Sequence, residues 1–137
     1  MAEAARPSHG LIDTSVVIAL ENIDAGQLPS ELAISALTMA ELAAGPHATG
    51  DAGDRARRQD RLQRAEATFD PLPFDGDSAR AYGRVYAAVI ATGRKARGAR
   101  AVDLLIAATA LAANLPLYTR NVDDFRGIEQ LLTIVGV

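Results

Sequence analysis

At 137 residues, with 49% hydrophobic and 23% charged side chains, the chain has the size and make-up of one ordinary globular domain. It has no cysteine and two histidines, His9 and His47, which excludes a disulfide scaffold, a thiolate metal site, an iron–sulfur cluster and a thiol nucleophile, and leaves oxygen as the main ligand for any metal. A net charge of −3 excludes a uniformly basic nucleic-acid-binding surface.

In chain order, residues 9–13 read as a short apolar strand ending on Asp13, and residues 14–21 have helical composition. A second apolar run, 31–37, leads into a short helix, 38–44, stopped by Gly45-Pro46. Residues 50–53 read as a loop and 54–67 as a polar helix with Arg57, Arg61 and Arg64 along one side. A third strand is expected at 71–75. The helix over 77–92 places Tyr82, Val85, Tyr86, Val89 and Ile90 on one core-facing stripe. A basic loop over 93–100 precedes a helix at 102–113 that is apolar on every side and therefore buried. A strand at 115–119, a helical turn at 122–125 and a last strand at 133–135 complete the series.

Strands alternating with helices predict an α/β fold with a parallel sheet covered on both faces. A single domain over 1–137 is expected, with its core at about 9–135, in a soluble cytoplasmic protein. The apolar stretch 11–20 carries Asp13 and is too short to span a bilayer, and residues 1–9 lack the order of a signal peptide.

The acids fall in a pattern. Asp13 follows the first strand, Glu41 the second, Asp75 ends the expected third, and Asp124 follows the strand at 115–119; Asp103 opens the buried helix. In a parallel sheet the carboxyl ends of the strands share one edge, where ligands bind. Two carboxylates 4 Å apart repel by about 4 kcal/mol at an effective dielectric near 20. Such a cluster takes up protons, spreads apart, or holds a cation, and Mg²⁺ or Mn²⁺ suits all-oxygen ligation.

Each acid also has a purely structural reading. Thr38-Met39-Ala40-Glu41 has the form of a capping box. Asp13 and Asp75 could cap the helices that follow them, Asp103 could pair with Arg100, and Asp123-Asp124 could favour a helix N-terminus through its dipole. These readings serve each acid singly; they do not explain why all of them lie on one rim.

Four segments together resemble a known family: Leu-Ile-Asp13-Thr-Ser-Val, Thr38-Met-Ala-Glu41-Leu, Arg100-Ala-Val-Asp103-Leu-Leu-Ile-Ala-Ala and Thr119-Arg-Asn121-Val-Asp-Asp124-Phe. The chain resembles the PIN-domain ribonucleases and, more closely, the VapC toxins of bacterial toxin–antitoxin pairs. The resemblance implies a three-layer α/β/α PIN-like fold and a Mg²⁺- or Mn²⁺-dependent endoribonuclease toxin neutralised by a small VapB-type antitoxin. By the same resemblance, Asp13, Glu41 and Asp103 match the three firm acidic positions. Asp124, directly before Phe125, is favoured as the fourth acid over Asp123. Asn121 stands where many relatives have aspartate and would be an auxiliary polar group. Thr14, Ser15 and Thr119 match small polar positions near the metal.

Relatives cleave RNA to 5′-phosphate and 3′-hydroxyl ends, bind their antitoxin over the short helices near residues 16–20 and 42–44 and the apolar side of the arginine helix, and commonly form homodimers or toxin–antitoxin hetero-oligomers. For this chain the expected principal ligands are Asp13 and Asp103, with Glu41 and Asp124 completing the coordination.

A carboxylate rim repels RNA, so cations must flank it. Thirteen of the fourteen basic residues are arginine, Lys95 being the exception. Arg94, Lys95, Arg97 and Arg100, just before Asp103, are the expected RNA contacts. The second bunch, Arg55 to Arg64, alternates with acids and reads equally well as a solvated helix face. His9 and His47 are not expected to act in catalysis. A phosphoacceptor receiver domain would need a lysine after a late strand, and a haloacid-dehalogenase-type phosphatase would need Asp-x-Asp after the first; neither is present. The alternative to a nuclease is a catalytically silent PIN-like module that binds RNA or protein.

Overall fold

His-Gly-Leu-Ile forms the first strand, β1 (His9–Ile12), in which every residue after the histidine is buried. The structure, a computed structural model, describes residues 8–137. Helix α1 (Thr14–Ala19) and two 3₁₀ turns, Leu20–Asn22 and Ala25–Gln27, lead to β2 (Glu31–Ala33). Four helices follow: α2 (Ala36–Ala44), α3 (Ala52–Thr68), α4 (Gly76–Ala91) and α5 (Ala99–Ala112). The chain then returns through β3 (Leu117–Thr119), a 3₁₀ turn at Val122–Phe125 and β4 (Ile134–Gly136). The sheet order is β2-β1-β3-β4, and every pairing is parallel.

Successive residues of a strand face opposite sides, and β1 and β3 use this to build two cores. Leu11 and its partner Leu117 lie with Val85 and Val89 of α4 and Leu104 and Ile106 of α5. Ile12 and its partner Tyr118 lie with Val16 and Val17 of α1, Leu42 of α2 and Leu62 of α3. Each fully buried leucine or isoleucine contributes about 2 kcal/mol. The result is the expected three-layer α/β/α fold, with α4 and α5 on one face of the sheet and α1 and α3 on the other. Gly10 permits it: a Cβ there would stand 2.5 Å from the Tyr118 ring.

Several elements differ from expectation. Residues 71–75 are not a strand. Leu72 alone makes a parallel bridge with Ser35, its N–H donating to Ile34 O at 2.9 Å. Pro71 and Pro73 have no N–H with which to extend the ladder. Asp75 therefore ends no strand; it caps α4, accepting the Ser78 N–H at 2.9 Å. The apolar run after Ala33 leaves the sheet because Ser35 caps α2 by accepting the Thr38 N–H at 3.1 Å. The loop expected at 50–53 is cut short by Asp51, which caps α3 through the Asp54 N–H. On α4, Val85 and Val89 are buried, but Tyr86 and Ile90 are exposed, so the apolar stripe is wider than the face the sheet covers. Among the described residues no helix is long and apolar enough to cross a membrane.

Candidate active site

Because all four strands are parallel, their carboxyl ends lie along one edge. Asp13 stands at the end of β1, and its main-chain N–H donates to Tyr118 O on the neighbouring strand at 3.0 Å. The residue is only 4% exposed. Its Oδ1 accepts the Val16 N–H at 3.1 Å and the Ser15 hydroxyl at 2.6 Å. Asp13 is thus a helix cap as well as a rim acid. Both bonds fall on Oδ1, and a carboxylate has lone pairs for further ligands on its second oxygen. The Ser15 hydroxyl oxygen also accepts the Arg120 N–H at 3.1 Å, which ties the turn after β3 to the turn after β1.

Glu41 lies on α2 and is exposed. The capping-box reading fails here, since Ser35 rather than Thr38 caps the helix and Glu41 stands in its second half. Its Oε1 accepts the Thr14 hydroxyl at 2.6 Å. That bond brings α2 to the mouth of β1.

Helix α5 starts at Gly98, whose φ of +71° suits glycine, and carries Asp103 just beyond its first turn. The Asp103 carboxyl is pushed up to about 6, first by burial, then by the charges of Asp124, Asp13 and Glu41; Arg100 opposes the rise most weakly. Among the described residues no ion pair joins Asp103 to Arg100, so the structural-pair reading of Asp103 does not hold. The charges that raise it are acids from three other parts of the chain. One of the neighbouring doublet can be set aside. Asp123 is engaged by Arg94 and Arg126, whereas Asp124 is the foremost charge acting on Asp103.

The donor set is all oxygen and its members repel one another, the condition that a hard divalent cation relieves. The carboxylates are near enough to perturb Asp103, yet among the described residues no three His, Asp or Glu side chains stand ready as a set to hold a metal ion. A model of the PIN domain matches residues 11–130, a span that contains all four acids. The chain belongs to the PIN-domain family. It is 36% identical to Ribonuclease VapC5 of Mycobacterium tuberculosis, over 90% of each chain. It is 33% identical to Ribonuclease VapC of Rickettsia bellii, over 88% of this chain and 91% of that one. Its fold matches the crystal structure of VapBC-5 from Mycobacterium tuberculosis, a member of the VapBC family of toxin–antitoxin systems, with a TM-score of 0.84 and 34% identity, covering 96% of this chain and 100% of that chain.

Around the acid rim of this PIN domain the remaining candidates divide. Thr14 and Ser15 touch Glu41 and Asp13 directly. Thr119 is fully buried and its hydroxyl oxygen accepts the Asn121 N–H at 3.0 Å, shaping the turn after β3. Asn121 itself is exposed. In the basic segment, Arg94 donates to Asp123 O at 2.7 Å and so docks the segment onto the 3₁₀ turn. Lys95 and Arg97 are exposed, and among the described residues neither has an ion-pair partner. Arg100 is half-buried on α5. His9 pairs with Glu31 at 2.7 Å at the far end of β1, and His47 is exposed in the turn after α2.

A groove between α1 and α3, lined by Ile18, Arg57, Arg61 and Arg64 together with Glu21 and Asp60, shares Ile18, Arg57 and Arg61 with a second cavity that reaches Thr14 and Glu41. Ile18 is 51% exposed there. Ser35 escaped the sequence reading and Thr38 entered it only as a helix cap; both are fully buried, Thr38 hydrogen-bonded to Thr14 and Ser35 to Thr38. The i, i+3 spacing of Thr38 and Glu41 on one helix was the available signal.

Proposed function

We propose that this PIN domain is a divalent-cation-dependent endoribonuclease toxin of the cytoplasm, held inactive by a cognate VapB-type antitoxin. The observation that supports it most is Asp103, a half-buried acid on which the charges of Asp124, Asp13 and Glu41, from three other stretches of chain, outweigh that of Arg100. A silent domain has no need to hold Asp103 within reach of the charges of three other carboxylates.

A divalent ion, when bound, neutralises phosphoryl oxygens and makes water nucleophilic near neutral pH. Asp13 and Asp103 would principally hold it, with Glu41 and Asp124 completing the coordination. Asp13 is pre-oriented by Ser15 and the Val16 N–H, so little ordering is left to complete on binding. Glu41, steadied by Thr14, and Asp124 would orient the attacking water and take up its proton. The water oxygen bonds to phosphorus, the bond from phosphorus to the 3′ oxygen breaks, and that oxygen takes a proton from solvent to leave as a 3′-hydroxyl. Lys95 and Arg97 would meet RNA phosphates and offset the repulsion of the rim.

The groove beside the rim fits an antitoxin segment. It offers the exposed Ile18 to an apolar side chain and Arg61 to an acidic one, while Arg57 and Arg64 are already paired with Asp54, Asp60 and Glu21. A basic residue of that segment, reaching past Thr14 to the acids, would compete with the cation.

Labelled RNA with Mn²⁺, with and without EDTA, and with Asp13→Ala, tests the nuclease. Cleavage abolished by both the chelator and the substitution supports the reading, and cleavage surviving both overturns it. RNA binding without cleavage under any divalent ion would make the chain a binding module instead.

A further inference from the structure

Beneath Glu41 runs a chain of hydroxyls whose direction follows from counting protons. Thr14 Oγ1 lies 2.6 Å from Glu41 Oε1 and 3.1 Å from Thr38 Oγ1. Thr38 Oγ1 lies 3.4 Å from Ser35 Oγ, and Ser35 Oγ accepts the Thr38 main-chain N–H at 3.1 Å. A hydroxyl has one proton, and an ionised carboxylate only accepts. The Thr14 proton is therefore committed to Glu41, and the contact between the two threonines is made by Thr38 donating to Thr14. The oxygen of Thr38 is then open to the proton of Ser35. The order is Ser35 to Thr38 to Thr14 to Glu41, anchored at the N-cap of α2. Ser35 and Thr38 are 0% exposed, so bulk water cannot replace a missing link. Thr14 is half-buried and Glu41 exposed, so the chain runs from the closed interior out to the acid rim.

We propose that Thr38 is a positioning residue for Glu41, acting through the Thr14 hydroxyl. Buried hydrogen bonds under α2 fix the direction in which Thr14 donates, and this sets how the solvent-facing carboxylate is presented on the rim. An exposed glutamate otherwise samples many rotamers, and ordering it costs conformational entropy. The proposal rests on the nuclease reading above. Residues that hold ligands from behind typically matter about 10- to 100-fold in metal affinity or activity.

The test compares Thr38→Val, which keeps the side-chain shape and removes the hydroxyl, with Thr38→Ser, which restores it, each alone and combined with Glu41→Gln. Mn²⁺ binding to the full chain is followed by the electron paramagnetic resonance signal of the free ion, alongside single-turnover cleavage of labelled RNA; urea melts establish that each variant folds. Thr38→Val is expected to weaken Mn²⁺ binding and slow cleavage about tenfold each, with Thr38→Ser within about twofold of wild type. In the Glu41→Gln background the valine substitution should add nothing, because its effect passes through Glu41. A residue that merely packs under α2 would lower stability and cost the same factor in both backgrounds. Should Thr38→Val not fold, Thr38→Ala supplies the hydroxyl-free arm. Thr38→Val matching an active wild type, or losing equally with and without Glu41, overturns this proposal alone. A wild type that neither binds Mn²⁺ nor cleaves RNA overturns the nuclease reading and this one with it.

Discussion

Arg94 and Asp123 meet across 29 residues of sequence: the guanidinium donates to the Asp123 main-chain oxygen at 2.7 Å and stands 3.8 Å from its carboxylate, which Arg126 also engages. Asp123 is thereby neutralised by arginines and serves to dock the basic segment. Asp124, one residue on, keeps its charge directed at Asp103. Asp124→Asn should therefore slow RNA cleavage by on the order of a hundredfold or more, since a ligand matters at least as much as its supports. Asp123→Asn should cost only a few-fold. Single-turnover rates at saturating Mn²⁺ decide it; equal losses, or a larger one at Asp123, would reverse the assignment.

The elevated Asp103 carboxyl makes a prediction about stability in the absence of metal. Its ordinary value is 3.8 and its folded value about 6, so between these the folded state binds more protons than the unfolded one. Stability then falls as pH rises through that window. Such a shift corresponds to about 3 kcal/mol at full strength, which solvent screening at this half-buried site cuts to about 1 kcal/mol. Urea melts in EDTA should show wild type losing about 1 kcal/mol relative to Asp103→Asn between pH 4 and pH 7, with Mg²⁺ restoring the loss at pH 7. Parallel stability curves for the two proteins would mean that Asp103 is not under that pressure.

Much of this was readable from the chain because the decisive signals were local. Asp13 at the end of an apolar strand, and Asp103 at the head of a helix with almost no other polar group, are anomalies that burial alone makes expensive. Glu41 was harder to place: Thr38-x-x-Glu41 has the form of a capping box, and only the helix starting three residues earlier, with Ser35 as its cap, removed that reading. The strand expected at residues 71–75 failed because apolar content outweighed the two prolines in the pattern, although the missing N–H groups decide the ladder. The Ser35–Thr38–Thr14 chain was invisible for a different reason. Thr14 and Thr38 are 24 residues apart, and nothing in either segment says that a parallel crossover will stack them.

The basic segment yields a salt-dependence test. Lys95 and Arg97 are exposed beside the rim. If each meets one phosphate of single-stranded RNA, each alanine substitution should flatten the slope of log affinity against log salt by about 0.7. The loss should be nearly uniform across RNA sequences, since phosphate contacts carry no base information. Filter binding in EDTA from roughly 50 to 300 mM KCl, a range over which such slopes are resolved, measures it. Unchanged slopes in both variants would move the RNA path elsewhere.

Ile18 separates antitoxin binding from folding. It is 51% exposed on α1, where it faces the groove shared with Arg57 and Arg61. A half-exposed aliphatic side chain holds little of the core, so Ile18→Asp should change stability by no more than about 0.5 kcal/mol. If the proposed antitoxin segment covers this groove, its apolar side chain loses the Ile18 contact and meets a charge that must be desolvated, which is costly. We expect at least about tenfold weaker antitoxin binding, or about 1.4 kcal/mol, and RNA cleavage that the antitoxin no longer silences at stoichiometric amounts. Calorimetric titration of the co-encoded antitoxin into wild type and variant measures the first, and gel-resolved cleavage the second. Equal affinities would place the antitoxin on another face of the domain.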